Sequence, residues 1–405
     1  MNQSRTISLV FLWQLAASLC YYAVFAATPF LRDAFDLTGT TVGVVVTVLT
    51  LGYAVFLLPL GAATDRYGEH RTLTVGLLGL AGGAVLVPLA GTYAALLGSV
   101  LVLGALYGTA IPGTNKAIFA NVPPARQHLA TGIKQVGVTA GSGLSAVLLT
   151  NVAAVLAWQA GFYVAAGVAV AVALVFALGY NPTQTEGTTE FPDFRALFSN
   201  RPYRSLCVAG WFLGAALFTT VGYTILYLEE SVGLSVARSG LVLAGLQVSG
   251  SVGRLVTGWL GDALPGGSRR RIGAILTAQA LGSAVLFVTV AFVDRRLTAI
   301  AAFVTLGFFI LGFTGVYYSC MATLVPTEKM GGATAGGQLA LTSGALLAPP
   351  AFGYLGETIG YRASWLLLAG LTALSAVFVV RVILLPLPDT DTQSKTTGRS
   401  RSSDD

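Results

Sequence analysis

Three cations stand where cations are costly. Lys116, Lys134 and Arg254 each interrupt an apolar run long enough to cross a bilayer, and none of the 17 acidic residues lies deep in such a run. A charge in hydrocarbon must be hydrated, paired or carried to a surface. With no buried carboxylate to answer them, these side chains can face a watery cavity and hold a mobile anion. Alternatively they extend their apolar stems to the nearer headgroups. At 1.5 Å per helical residue, Lys134 lies about 6–9 Å from the start of its run and Arg254 about 12 Å from Asp262, so both readings stay open. The chemistry on offer is electrostatic binding of an anionic solute. A cationic drug finds no buried counter-charge, and a proton relay built on a buried Asp or Glu lacks its residue.

Lys134 sits in "ATGIKQVG" beside Gln135, and a second amide, Gln338, occupies the matching place later in the chain. Tyr22, Tyr53, Tyr107, Gln247 and Tyr317 are further polar or aromatic candidates nearer the middle of their runs. Each can line a cavity or pack between helices. Catalytic signatures are missing. There is no Gly-x-x-x-x-Gly-Lys-Ser/Thr phosphate loop to drive the chain with ATP. His70, His128, Cys20, Cys207 and Cys320 show no metal or disulfide spacing. The reading is therefore not an enzyme, with no cofactor and no metal.

The elements that must position these residues are membrane helices. The 405 residues are 55% hydrophobic and 10% charged, against about 25% charged in soluble domains, so the solvent is lipid. Twelve apolar runs reach the roughly 20 residues a spanning helix needs: 8–28, 40–63, 72–92, 94–119, 130–152, 158–179, 204–228, 238–261, 272–293, 297–322, 332–354 and 362–385. They are too long and too little alternating for a β-barrel. The first is longer than a signal-peptide core and is expected to be a retained span. With the N-terminus placed inside, fifteen of the 23 Lys and Arg fall in inner segments and five in outer ones. That asymmetry predicts a multi-pass protein of the cell membrane with both termini cytoplasmic. The basic surplus then meets membrane lipids, and no nucleic acid is expected as a partner.

The polar stretch 180–203 splits the spans six and six. The expected organisation is an N-terminal bundle over 1–179, a cytoplasmic linker over 180–203 with a short surface helix near Phe194–Phe198, a C-terminal bundle over 204–387 and a disordered tail over 388–405. The halves repeat. "VPPARQHLATG" at 122–132 aligns with "VPTEKMGGATA" at 325–335, an offset of 203 that also pairs Gln135 with Gln338, Phe162 with Trp365 and Gly167 with Gly370. "GAATD" at 61–65 aligns with "GWLGD" at 258–262, an offset of 197. Glycine is abundant, 49 residues against about 7% in average proteins, as closely packed sliding helices require.

Between spans two and three, "GAATDRYGEHR" places Gly61, Asp65, Arg66, Gly68 and Arg71 in the pattern Gly-x-x-x-Asp-Arg-x-Gly-x-x-Arg. The second half keeps Gly258 and Asp262 but follows the latter with Ala263. This pattern resembles the loop signature of the major facilitator superfamily. The resemblance implies an all-α polytopic membrane protein of twelve transmembrane helices in two pseudo-symmetric six-helix bundles that rock about a central site. It also implies that these loop residues latch the cytoplasmic side, with Asp65 accepting from the start of span eleven near Gly331–Ala333. "GVTAGSG" at 137–143 partly resembles the Gly-x-x-x-Gly-Pro element of drug antiporters, with Ser142 where proline stands. The expectation is a secondary active or facilitative transporter, working as a monomer, that moves a small anionic organic solute by alternating access. An exporter of hydrophobic compounds and a non-transporting membrane sensor or receptor are the alternatives.

Overall fold

The computed structural model describes residues 3–181, 194–263, 268–326 and 329–386, and no strand occurs among them. The proposed tail over 388–405 and residues 182–193, half of the 180–203 linker, lie outside the described residues. Among the described residues, twelve helices are long and apolar enough to span a bilayer. Spans one to six are Gln3–Ala26, Gly39–Tyr67, Glu69–Leu89, Tyr93–Asn121, Leu129–Val155 and Gln159–Gly179. Spans seven to twelve are Arg201–Glu230, Val236–Gly261, Arg269–Phe292, Arg296–Ala322, Met330–Thr358 and Tyr361–Leu384. Helices are what lipid permits, because each satisfies its own backbone groups. Side chains mark several starts: Thr38, Thr92 and Asn200 accept from the backbone N–H three residues on, each at 3.2 Å. A short helix, Phe194–Ser199, precedes span seven.

The expected charged turn at 61–71 is tighter than its sequence suggests. Span two stays helical through Tyr67, span three begins at Glu69, and Gly68 alone links them with φ +82°. Side chains reach water from a helix end without the backbone having to unwind, so the charges sit on continuing helix. Glu69 is buried and accepts a hydrogen bond from the Tyr180 hydroxyl at 2.9 Å. Burial, and then the Glu69 carboxylate, raise the Tyr180 phenol above its ordinary value, so it stays a donor.

The repeat is visible in packing. A Cβ on Gly104 would lie 1.9 Å from the Leu49 carbonyl oxygen, and one on Gly307 would lie 2.1 Å from that of Leu246. Gly104 and Gly307 are 203 residues apart and Leu49 and Leu246 are 197 apart, the two offsets of the sequence repeat. Span four breaks between Tyr107 and Ala110, and span ten breaks between Ile310 and Phe313, again 203 residues on. Span eleven breaks as well, between Gly344 and Ala348.

Chain alternation puts Gln3 and Leu384 on one face, here the terminal face, and the 27–39, 230–236 and 358–361 connections on the other, the distal face. The two bundles close on each other at the distal face. A Cβ on Gly43 would lie 2.4 Å from the Pro350 nitrogen, and one on Gly353 would lie 2.2 Å from the Gly39 carbonyl oxygen. Glu357 accepts from the Gly39 N–H at the start of span two and from Thr40 Oγ1. Arg32 pairs with Glu230, which also accepts from the Tyr361 hydroxyl at 2.7 Å. The Tyr223 hydroxyl lies 2.6 Å from Gly39 O and 3.0 Å from Pro349 O. Spans five and eight continue the seam inward, through Gln247 Nε2 to Ser142 Oγ at 2.6 Å and Ser251 Oγ to Thr139 Oγ1 at 2.7 Å. Nearer the terminal face, where a Cβ would stand on Gly132, Gly258 or Gly331, no described atom lies within 4 Å.

Candidate functional site

The seam ends in a central cavity of about 100 Å³, lined by both bundles. Span five supplies Lys134 and Gln135, span eight supplies Gln247 and Arg254, and span eleven supplies Gln338. Spans one and four add Tyr22 and Tyr107. With Tyr53 of span two, eight of the ten residues read from the sequence as candidate solute contacts therefore meet around one space, although they come from six different spans.

The two cations are held by neutral atoms. Lys134 is 4% exposed and its Nζ donates to Asn115 Oδ1 at 2.6 Å. Arg254 donates from Nε to the Leu311 carbonyl at 3.1 Å, inside the break in span ten. The break frees that carbonyl, and the guanidinium caps it. Among the described residues no Asp or Glu lines the cavity. Two positive charges thus face a partly enclosed space without a fixed negative charge, an arrangement that favours a mobile anion.

Neutral groups complete the lining. Gln338 Oε1 accepts from the Tyr318 hydroxyl. Tyr107 lies 3.0 Å from Ser18 Oγ and 3.3 Å from Gln14 Nε2, and its ring stacks on Tyr21 at 4.1 Å between centroids. Tyr53 meets the Tyr107 ring edge-on at 5.3 Å. Gln14, Tyr21 and Tyr318 line the cavity without having been singled out by sequence.

Two candidates fall elsewhere. Tyr317 is fully buried behind the cavity wall, 3.3 Å from the Gly337 carbonyl and against Gly210. One step along a helix turns a side chain by about 100°, and here it is Tyr318 that points inward. Lys116 extends to the terminal-face end of span two, donating to Thr64 O at 3.1 Å and meeting Asp65 Oδ1 at 3.4 Å. It snorkels to the carbonyls at a helix C-terminus, where a cation is favoured.

The loop residues sit together at the terminal face. A Cβ on Gly61 would lie 3.7 Å from the Pro112 ring, Arg66 lies over the Tyr67 ring at 5.3 Å, and Arg71 is exposed. Asp65 meets Lys116 of its own bundle, and among the described residues no hydrogen bond or ion pair joins it to span eleven. Gly258 faces open space, and the side chain of Asp262 lies outside the described residues. Among the described residues no three His, Cys, Asp or Glu side chains gather to hold a metal.

The family model described as Major Facilitator Superfamily matches residues 10–344. The chain belongs to that superfamily. As a member it is similar over 90% of its length, at 25% identity, to the "Probable sulfoacetate transporter" of Cupriavidus necator, itself covered to 90%. It is 24% identical to the hexuronate transporter of Bacillus subtilis, over 89% of this chain and 90% of that one. In fold it matches a crystal structure of a bacterial homologue of the human lysosomal transporter Spinster, with TM-score 0.78 at 15% identity, covering 93% of this chain and 96% of that one. The family and these relatives are transporters rather than enzymes. In a major facilitator, a cavity bounded by both bundles is where rocking of one bundle on the other exchanges access.

Proposed function

We propose that the chain moves a small organic anion, one bearing a carboxylate or sulfonate, across the cell membrane by alternating access as a monomer. The observation that carries this reading is the placement of Lys134 and Arg254 in a cavity with no carboxylate in its described lining. The names of the sulfoacetate and hexuronate relatives point to the same class of cargo. The excess of Lys and Arg on the terminal side supports cytoplasmic termini. The state described is then open to the cytoplasm and sealed outside. Gln135 and Tyr22 line the cavity, which puts an amide and a phenol within reach of the solute.

Purified protein in liposomes, offered labelled sulfoacetate, a hexuronate, simple mono- and dicarboxylates and a lipophilic dye, tests the proposal. Saturable uptake of one or more anions is expected. Dye flux indifferent to every anion would favour the hydrophobic exporter, and binding without flux would favour a sensor.

The latch role of Gly61, Asp65, Arg66, Gly68, Arg71, Gly258 and Asp262 belongs to the same proposal. When the cytoplasmic side closes, Asp65 leaves Lys116 for the positive N-terminal end of span eleven. A carboxylate there contributes up to about 2 kcal/mol, so Asp65→Asn is expected to slow anion exchange roughly tenfold. Anion affinity should stay within about twofold, because Asp65 is not part of the cavity lining. Initial exchange rates and binding isotherms on the same preparation check this pair of outcomes.

A further inference from the structure

A second recess lies on the outside of the C-terminal bundle and shares no residue with the central cavity. It is a groove of about 670 Å³ between spans eight, nine and ten. Its floor is Ala274 and Ala278, four residues apart and both exposed, and Phe308 and Phe309 form one wall. The Phe309 ring closes the deep end by packing on Gly282, where a Cβ would lie 2.3 Å from the ring. Arg270 and Arg271 stand at the mouth. Arg270 is exposed and Arg271 half-buried. Their neighbour Arg269 turns into the bundle instead: it donates to Val382 O at 2.9 Å and Ile383 O at 3.0 Å, among the last carbonyls of span twelve.

We propose that this groove holds one anionic phospholipid, its phosphate on Arg270 and Arg271 and an acyl chain along Ala274 and Ala278. The dimensions agree with that occupant. The arginines occupy the first turn of span nine, at headgroup depth, and Ala278 lies about 12 Å further into the hydrocarbon at 1.5 Å per residue. A basic mouth over an apolar trough suits a molecule that is anionic at one end and hydrocarbon at the other. A zwitterionic lipid offers the same chain but no net charge to the two guanidinium groups. A lipid seated in the groove would also touch spans eight, nine and ten together, so binding should appear as stability.

The test uses the full chain in neutral detergent with added phosphatidylglycerol or phosphatidylcholine, followed by thermal unfolding and by native mass spectrometry. Phosphatidylglycerol is expected to raise Tm by several degrees more than phosphatidylcholine and to remain as a single adduct. The Arg270→Gln/Arg271→Gln double variant should lose both effects, and Arg270→Lys/Arg271→Lys should retain most of them. Ala278→Phe, which fills the trough and leaves the charges in place, should lose the adduct while its Tm without lipid stays near that of the parent. Equal shifts from the two lipids, or an adduct that survives in both the glutamine double variant and Ala278→Phe, would overturn the proposal.

Discussion

Replacing Arg254 with Gln is expected to raise the Kd of the transported anion about ten- to a hundredfold, and Lys134→Gln should do the same. A charge-assisted hydrogen bond is worth roughly 1.5–3 kcal/mol, and about 1.4 kcal/mol is tenfold in affinity. Glutamine is the informative replacement because it keeps a donor. At position 254 its amide can still reach the Leu311 carbonyl that the guanidinium caps at 3.1 Å, so the break in span ten keeps a partner. At position 134 the amide ends one bond short of the ammonium that now donates to Asn115 at 2.6 Å, but it keeps an N–H to offer that residue or the solvent of the cavity. The fold is therefore expected to survive and the positive charge to be lost. The cations stand on different helices in different bundles but share one anion in this reading, so their losses are expected to depart from additivity, and the double variant measures the coupling. Isothermal calorimetry with the best-transported anion, on folded single and double variants, measures this. Unchanged affinity in Arg254→Gln would mean that its guanidinium serves the broken helix alone.

The second large effect is steric. A side chain at Gly43 cannot coexist with the distal seal, because even a Cβ would lie 2.5 Å from the Pro349 carbonyl oxygen. That contact joins the two bundles. They can escape the clash by staying apart on the distal side, at no cost to either bundle's core. Gly43→Leu is expected to cut anion exchange at least tenfold while leaving Tm within a few degrees. Gly307 provides the contrast. A Cβ there would stand 2.1 Å from the Leu246 carbonyl oxygen, which belongs to the same bundle, so no rocking motion relieves the clash. Gly307→Ala should instead lower Tm and yield of folded protein, since overpacking a fixed contact costs about 1–3 kcal/mol. Exchange rates and unfolding curves for the two variants separate a seam residue from a core residue.

Much of this architecture was legible because lipid is a severe solvent. An apolar run of spanning length has to be a helix, and twelve such runs became twelve helices. Lys134 and Arg254 stood out because no deep acid could answer them, and the described cavity lining supplies none. The amides Gln135 and Gln338 were paired by the repeat and share one space. What failed was phase and distance. The spans are apolar nearly all round, so nothing in sequence told Tyr317 from Tyr318. Lys116 looked intramembrane until Thr64 and Asp65, on a neighbouring span, gave it somewhere to reach. The paired breaks in spans four and ten carry no proline at the break, only Gly108 and Gly312, and glycine is everywhere in this chain. The distal seal was invisible for a plainer reason. Glu357 meets Gly39 across 318 residues of sequence, and neither belongs to a motif.

Alternating exposure of an anion-loaded cavity is the central claim, and single-cysteine accessibility tests it most directly. The three native cysteines are buried, so the background is quiet. Gly132→Cys reports the terminal side of the cavity and Thr40→Cys reports the distal seal. With both read in sealed vesicles, the anion taken up in the liposome panel is predicted to slow labelling at 132 and speed it at 40. Rates that move in the same direction at both positions, or at neither, would contradict the account.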